Sequence, residues 1–191
     1  MKFLILNGSP RKNGKVSRIL HQIEETVIEA GDEACFYDVS ALAFKPCAGC
    51  MACRSSGTCV FPQDDAHRIA RMIQDCDGII VGSPVYWGNV NGQLKCLFDR
   101  VVAVMMGESP RGIPIPLHKG KKAVIVTSCT TPFPFNILAG QTTKAEHALK
   151  EILSYSGFKV HAKIRLAGTK GMKEIPERIC NAAKKAAAGL R

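Results

Sequence analysis

Five short apolar runs, at residues 3–6, 35–38, 78–82, 123–128 and 158–165, alternate with segments of helical period. No other feature of the sequence restricts the fold as much. Between the first two runs, Val16, Ile19, Leu20, Ile23 and Val27 recur at the i, i+3, i+4, i+7 spacing of an amphipathic helix. The second helical segment covers 65–76, with Ile69, Met72 and Ile73 facing inward, and the third carries Leu94, Leu97, Phe98, Val101 and Val102. The fourth has Ala145, Ala148, Leu149 and Ile152, and an Ala-rich helix follows Ile175. Strict strand–helix alternation predicts a parallel sheet covered by helices on both faces. Unbroken apolar strands such as Leu4-Ile5-Leu6 and Ile79-Ile80-Val81 agree, because a strand buried on both faces has no solvent side.

The expected architecture is α/β: a flavodoxin-like three-layer sandwich around a five-stranded parallel sheet of order 2-1-3-4-5. With 191 residues, 46% of them hydrophobic, the chain is expected to form one domain over residues 1–191, with a cysteine-rich loop at 46–60. Ligands of such sheets sit beyond the carboxyl ends of the strands, at the switch point between strands one and three. That directs attention to the loops after Leu6, Gly82 and Ser128. A Pro/Gly-rich stretch at 107–120 reads as a long surface loop.

Charge narrows the classes of partner. Lys plus Arg number 26 and Asp plus Glu 16, a formal charge of +10. Such a surface can attract acidic proteins, phosphorylated cofactors, nucleic acid or anionic membranes. The charges are scattered, and no nucleic-acid motif with interleaved aromatics is present, so no nucleic-acid partner is expected. No stretch approaches the roughly 18 apolar residues of a membrane span, so no membrane association is expected. Lys2 leads directly into the apolar run and a glycine turn, without the pattern of a signal peptide, and the expected location is cytoplasmic.

The loop after the first strand reads Asn7-Gly8-Ser9-Pro10-Arg11-Lys12-Asn13-Gly14-Lys15-Val16-Ser17 and runs straight into the first helix. Glycines let backbone N–H groups turn toward an anion, and the helix N-terminus adds partial positive charge. Ser9 and Ser17 offer hydroxyls, and Arg11 and Lys15 offer cations. The spacing is not that of a P-loop, since five residues separate Gly8 from Gly14 and Val16 follows Lys15. A phosphate cradle is the functional reading, and an ordinary turn with a helix cap is the alternative.

After the third strand come Ser83-Pro84-Val85-Tyr86-Trp87-Gly88-Asn89, with the only tryptophan beside a tyrosine at the mouth of the sheet. A flat ring system needs apolar walls and backbone donors near its polar edge. Packing of Tyr86 and Trp87 onto the third helix is the competing reading. After the fourth strand, Ser128-Cys129-Thr130-Thr131 and an aromatic, Pro-rich segment can line the same ring from its other edge.

Four of nine cysteines, Cys47, Cys50, Cys53 and Cys59, lie in the spacing C-x2-C-x2-C-x5-C. This is close to the bacterial ferredoxin run, with x5 in place of x3 and no proline after the last cysteine. A 4Fe–4S cluster, a tetrahedral zinc, and free thiols or an oxidised pair remain open. The other cysteines near apolar positions, Cys35, Cys76, Cys96 and Cys180, are expected to be small core residues, and the five histidines to be solvated or structural.

The segments GSPRKNG, SPVYWGNVNGQLKCLFDR and CTTPFPFN resemble the NAD(P)H-dependent FMN reductases of flavodoxin-like fold, and among them the iron–sulfur flavoprotein subgroup. The resemblance implies that Ser9, Arg11, Asn13, Gly14, Lys15, Val16 and Ser17 hold the FMN phosphate. It implies that Pro84, Val85, Tyr86, Trp87, Gly88 and Asn89, with Cys129 and Thr130, contact the ring and ribityl chain. The family's usual Gly-Asn-Thr is replaced by Gly14-Lys15-Val16, which loses a hydroxyl and gains a charge. The implied activity is NAD(P)H oxidation through FMN, by way of a 4Fe–4S cluster on Cys47, Cys50, Cys53 and Cys59, to a quinone, a free flavin or an acidic electron-transfer protein such as ferredoxin. A homodimer or homotetramer is also implied. No side chain need act as acid or base, so no catalytic residue is expected. A flavodoxin-like carrier without nicotinamide oxidation, and a binding protein whose cysteine loop responds to metal or redox state, are the alternatives.

Overall fold

The computed structural model describes residues 1–191. In chain order its elements are β1 (Lys2–Asn7), α1 (Lys15–Glu29), β2 (Glu33–Asp38), α2 (Cys53–Ser56), α3 (Asp65–Asp75), β3 (Gly78–Pro84), α4 (Gly92–Arg100), α5 (Val102–Met105), β4 (Met106–Glu108), β5 (Pro114–Pro116), β6 (Lys122–Ser128), α6 (Phe135–Leu138), α7 (Gln141–Tyr155), β7 (Lys159–Leu166) and α8 (Glu177–Ala188). The main sheet runs β2-β1-β3-β6-β7 with every neighbouring pair parallel. β6 and β7 are its fourth and fifth strands, so the fold is flavodoxin-like with the expected order. No helix is long and apolar enough to cross a membrane.

The strands sort their side chains by the period of two. Phe3 and Ile5 join Val16, Ile19, Leu20 and Ile23 of α1 and Ile179 and Ala183 of α8 in one apolar layer. Leu4 and Leu6 join α3, α4 and α7 through Ile69, Ile73, Leu94, Leu97 and Leu149 in the other. The sheet is thus buried on both faces, which is why its strands are apolar without alternation.

Three readings need correction. The third helix is not continuous through Val102: Val101, at φ −98° and ψ 12°, separates α4 from α5. Val101 and Val104 stay buried across the break, so the apolar period does not register it. The stretch at 107–120 is not a plain loop, because β4 and β5 pair there as an antiparallel hairpin. Of the four cysteines expected in the core, only Cys76 is buried, and Cys35, Cys96 and Cys180 are half-buried. Burial pushes the Cys76 thiol up to about 11.

Candidate functional site

The loop between β1 and α1 is braced by its own side chains. Asn7 Nδ2 donates to Ser17 Oγ at 2.9 Å and to Asp38 Oδ1 at 2.7 Å, and Asn7 Oδ1 accepts from Ser9 N at 3.0 Å. Ser17 Oγ donates to the Arg11 carbonyl at 2.7 Å, and Arg11 N donates to Ser9 Oγ at 3.2 Å. The Ser17 hydroxyl is fully buried and so braces the turn from inside. Val16 points into the core, where a β-carbon on Gly82 would come within 2.7 Å of its Cγ1. Lys15 Nζ donates to the Lys173 carbonyl at 2.6 Å.

Gly14 caps α1 without a side chain, and the N–H groups of Lys15, Val16 and Ser17 have no acceptor in the chain. These are the orphan donors of a helix N-terminus, where partial positive charge collects. A cavity of about 580 Å³ adjoins them, lined by Arg11, Asn13, Gly14, Lys15, Thr130 and the segment 169–172. The structure therefore brings the first loop and the β6 loop together, as expected. It adds the loop after β7, which sequence reasoning did not single out. The available signal was its place at the carboxyl end of the fifth strand.

Residues 84–89 follow from the end of β3, and neither they nor Cys129 line this cavity. Val85 N donates to the Ser128 carbonyl at 2.8 Å, tying the segment to the end of β6. Tyr86 and Asn89 exchange both backbone hydrogen bonds at 2.9 Å and close a two-residue turn. Its central residues, Trp87 at φ 53° and Gly88 at φ 73°, both have positive φ, the geometry of a type I′ turn. A bulky side chain in this region costs on the order of 1 kcal/mol, and such strain clusters at ligand sites. The indole does not pack on α4; it is fully exposed.

The β6 loop is held from the other side. Cys129 N donates to the Leu166 carbonyl at 3.0 Å, and the Cys129 carbonyl accepts from Thr169 N and Oγ1, both at 3.1 Å. Burial pushes the Cys129 thiol up. Beyond it, Phe133, Phe135 and Leu138 are exposed, as are Tyr86 and Trp87. Gly88 lies against Gln141 and Lys144 at the start of α7, so the two loops adjoin.

The cysteine loop forms a second cavity, of about 210 Å³, which shares no lining residue with the first. Cys47, Cys50, Cys53 and Cys59 all line it, as the spacing predicted, together with Arg100 and the first residues of the β4–β5 hairpin. Met51, Val60, Phe61, Val102, Ala103 and Met106 supply an apolar wall. Arg54 of the loop pairs with Glu108 of the hairpin. Burial first, then the neighbouring Cys59, Cys47 and Cys50 sulfurs, push the Cys53 thiol up. A single tetrahedral ion would need thiolates about 3.8 Å apart, and no three of these groups stand close enough to share one ion. Four thiols line one apolar-walled space, and thiolates are soft donors that suit zinc and iron–sulfur clusters alike.

No histidine lies in either cavity lining. His67 and His118 are buried and serve structure: His67 Nε2 contacts the Cys59 carbonyl at 3.0 Å, and His118 stacks on Phe158.

Residues 1–170 match a family model described as NADPH-dependent FMN reductase. An iron-sulfur flavoprotein of Methanocaldococcus jannaschii is 36% identical over 107 residues, 56% of this chain and 55% of that protein. One from Methanosarcina thermophila is 41% identical over 102 residues, 53% of each. The chain spans about half the length of the curated relatives it matches. Among solved structures, an NAD(P)H:quinone oxidoreductase from Methanothermobacter marburgensis superposes with TM-score 0.74 at 22% identity, covering 100% of this chain and 96% of that one. An azoreductase from Bacillus anthracis does so with TM-score 0.73 at 15% identity, covering 99% and 97%. At these identities the likeness concerns the fold.

Proposed function

Since the chain belongs to the NADPH-dependent FMN reductase family, we propose that it oxidises NAD(P)H through FMN and passes the electrons on by way of a 4Fe–4S cluster. The observation that carries this reading is the cavity at the N-terminus of α1, where three unpaired N–H groups meet Arg11 and Thr130. A phosphate dianion matches that set of donors.

In this reading the phosphate is held by Ser9, Arg11, Asn13, Gly14 and the N–H groups of Lys15, Val16 and Ser17. Lys15 acts through its bond to the Lys173 carbonyl, which draws the segment before α8 against the phosphate loop. The ring and ribityl chain fall to residues 84–89, Cys129 and Thr130. Bound there, FMN would supply hydride acceptance from NAD(P)H and release of the electrons singly or in a pair. The apolar rim of Trp87, Phe133 and Phe135 would keep water from the ring. The same rim offers the surface on which a homodimer or homotetramer would form. Cys47, Cys50, Cys53 and Cys59 would hold the cluster as thiolates. The acceptor is a quinone, a flavin or an acidic electron-transfer protein such as ferredoxin, which the +10 charge favours.

The test is anaerobic. Purified protein reconstituted with FMN should consume NADPH in proportion to flavin content when a quinone is supplied. FMN addition should quench the fluorescence of Trp87, the sole tryptophan. Absence of FMN-dependent turnover would overturn the enzyme reading. Protein with neither iron nor acid-labile sulfide would overturn the cluster.

A further inference from the structure

We infer that Arg100 is a positioning residue of the cysteine loop: its buried guanidinium clamps the two ends of that loop and fixes a positive charge beside Cys59, so that a cluster held there is reduced at a higher potential than it would be without that charge. This rests on the cluster reading above.

Arg100 ends α4, and its side chain is 0% exposed. Nη1 donates to the Lys45 carbonyl at 2.6 Å, just before the loop begins. Nη1 and Nη2 also reach the two carboxylate oxygens of Asp64, at 2.9 and 3.1 Å, just after the loop ends. The guanidinium lies 4.7 Å from the centroid of the Phe61 ring. Asp64 caps α3 by accepting from Ala66 N at 3.1 Å, and its Oδ1 lies 2.9 Å from His67 Nδ1. His67 Nε2 in turn meets the Cys59 carbonyl at 3.0 Å. Lys45, Cys59 and Asp64 are thus joined through two side chains from different helices.

The Arg100–Asp64 pair is a dipole, and its positive end faces the thiols. Arg100 lines the cysteine cavity and Asp64 does not. Cys59 lines that cavity with Arg100, and the two also line a smaller cavity beside it. Arg100 Nε is buried with no hydrogen-bond partner. A buried, unpartnered donor is costly, so native chains rarely keep one without a reason. A thiolate at position 59 would supply the missing acceptor, since sulfur bearing charge accepts far better than a thiol. Hydrogen bonds and fixed charge beside the ligand sulfurs are among the protein's levers on cluster potential. One-electron reduction makes the site one unit more negative, a form that a neighbouring cation stabilises.

The experiment compares wild type, R100K and the double variant D64N/R100Q, which removes both charges and leaves no carboxylate unpaired. Each is purified anaerobically, reconstituted with ferrous iron and sulfide, and titrated with dithionite while the cluster signal is followed by electron paramagnetic resonance. Amide exchange over residues 46–60 is measured on the apo proteins. Wild type should take up about four irons per chain. R100K should keep the wild-type potential, because it keeps the charge, but exchange faster in the loop, because an ammonium cannot make the same fork. D64N/R100Q should exchange faster and titrate at a more negative potential, or lose the cluster that R100K retains. A double variant with wild-type potential and exchange would overturn the inference. If the double variant does not fold, R100K decides, and a shifted potential there would overturn it. A wild type without iron or sulfide would instead overturn the cluster reading, and this inference with it.

Discussion

Arg165 and Glu146 meet edge to edge, Nε to Oε1 at 2.7 Å and Nη2 to Oε2 at 2.6 Å. Thr127 donates a third bond to Oε1 at 3.1 Å, so β6, α7 and β7 are joined at one carboxylate. Arg165 directly precedes Leu166, whose carbonyl holds the amide of Cys129 in the proposed flavin loop. The two partners are not equivalent, since the Glu146 side chain is 3% exposed and that of Arg165 is 32% exposed. Arg165→Met strands a buried carboxylate and should cost about 3 kcal/mol. Glu146→Gln leaves a guanidinium that can turn to water, and should cost about 1 kcal/mol. Urea unfolding midpoints check the ranking, and equal losses would contradict it.

Gly82 lies in the buried run of β3, under α1. A β-carbon there would come within 2.6 Å of Leu20 Cδ1 and 2.7 Å of Val16 Cγ1, distances that side chains do not tolerate. Gly82→Ala should therefore cost about 1–3 kcal/mol by overpacking. It should also weaken FMN binding, because α1 carries the phosphate donors. The valine that replaces the family's usual threonine is one of the two residues in the clash. Adding Val16→Ala should recover part of the loss, so the double-mutant cycle should give a coupling of about 1 kcal/mol. Additive effects would contradict the proposed contact.

Much of this was readable in advance, for physical reasons. The apolar runs and helical stripes specify layers, and the spacing puts the four cysteines in one loop, which the structure folds around one cavity. The break at Val101 was not readable, since Val104 continues the apolar period beyond it. Nor was the β4–β5 hairpin, because Pro114 and Pro116 deplete strand propensity in a three-residue element. The Arg100 clamp was invisible for a different reason. Its partner Asp64 lies 36 positions away, and only the folded chain joins the end of α4 to the start of α3.

Of the three cations in the phosphate loop, Arg11 and Lys15 are used differently. The Lys15 ammonium is spent on the Lys173 carbonyl, whereas Arg11 is exposed and makes no side-chain hydrogen bond or ion pair within the chain. Arg11→Ala should thus weaken FMN about tenfold, near the value of one charge-assisted bond. Riboflavin, which lacks the phosphate, should be unaffected by that change. Lys15→Ala should have a smaller and less phosphate-selective effect. Fluorescence titration with both flavins checks this, and a larger loss at Lys15 than at Arg11 would reverse the assignment.

His118 gives the fold a pH dependence of its own. Its Nε2 bonds the Val104 carbonyl at 2.8 Å, while Nδ1 is buried with no partner. Burial holds its pKa below the ordinary 6.5, and the Val104 bond only partly opposes that. Well above pH 6.5 the ring is neutral in both folded and unfolded chains and contributes no pH dependence. As pH falls from there toward the folded-state value, the unfolded chain takes up a proton that the folded chain refuses, and stability declines. His118→Phe should keep the stacking on Phe158, seen here with centroids 4.6 Å apart. It leaves the Val104 carbonyl unpaired, which should cost about 1 kcal/mol at pH 8. The variant should therefore be less stable than wild type at pH 8, and the gap should narrow or close by about pH 5. His161, whose Nε2 is also buried without a partner, acts in the same direction in both proteins, so the difference isolates His118. Thermal midpoints across that range provide the check, and a gap that widens on acidification would contradict the neutral assignment.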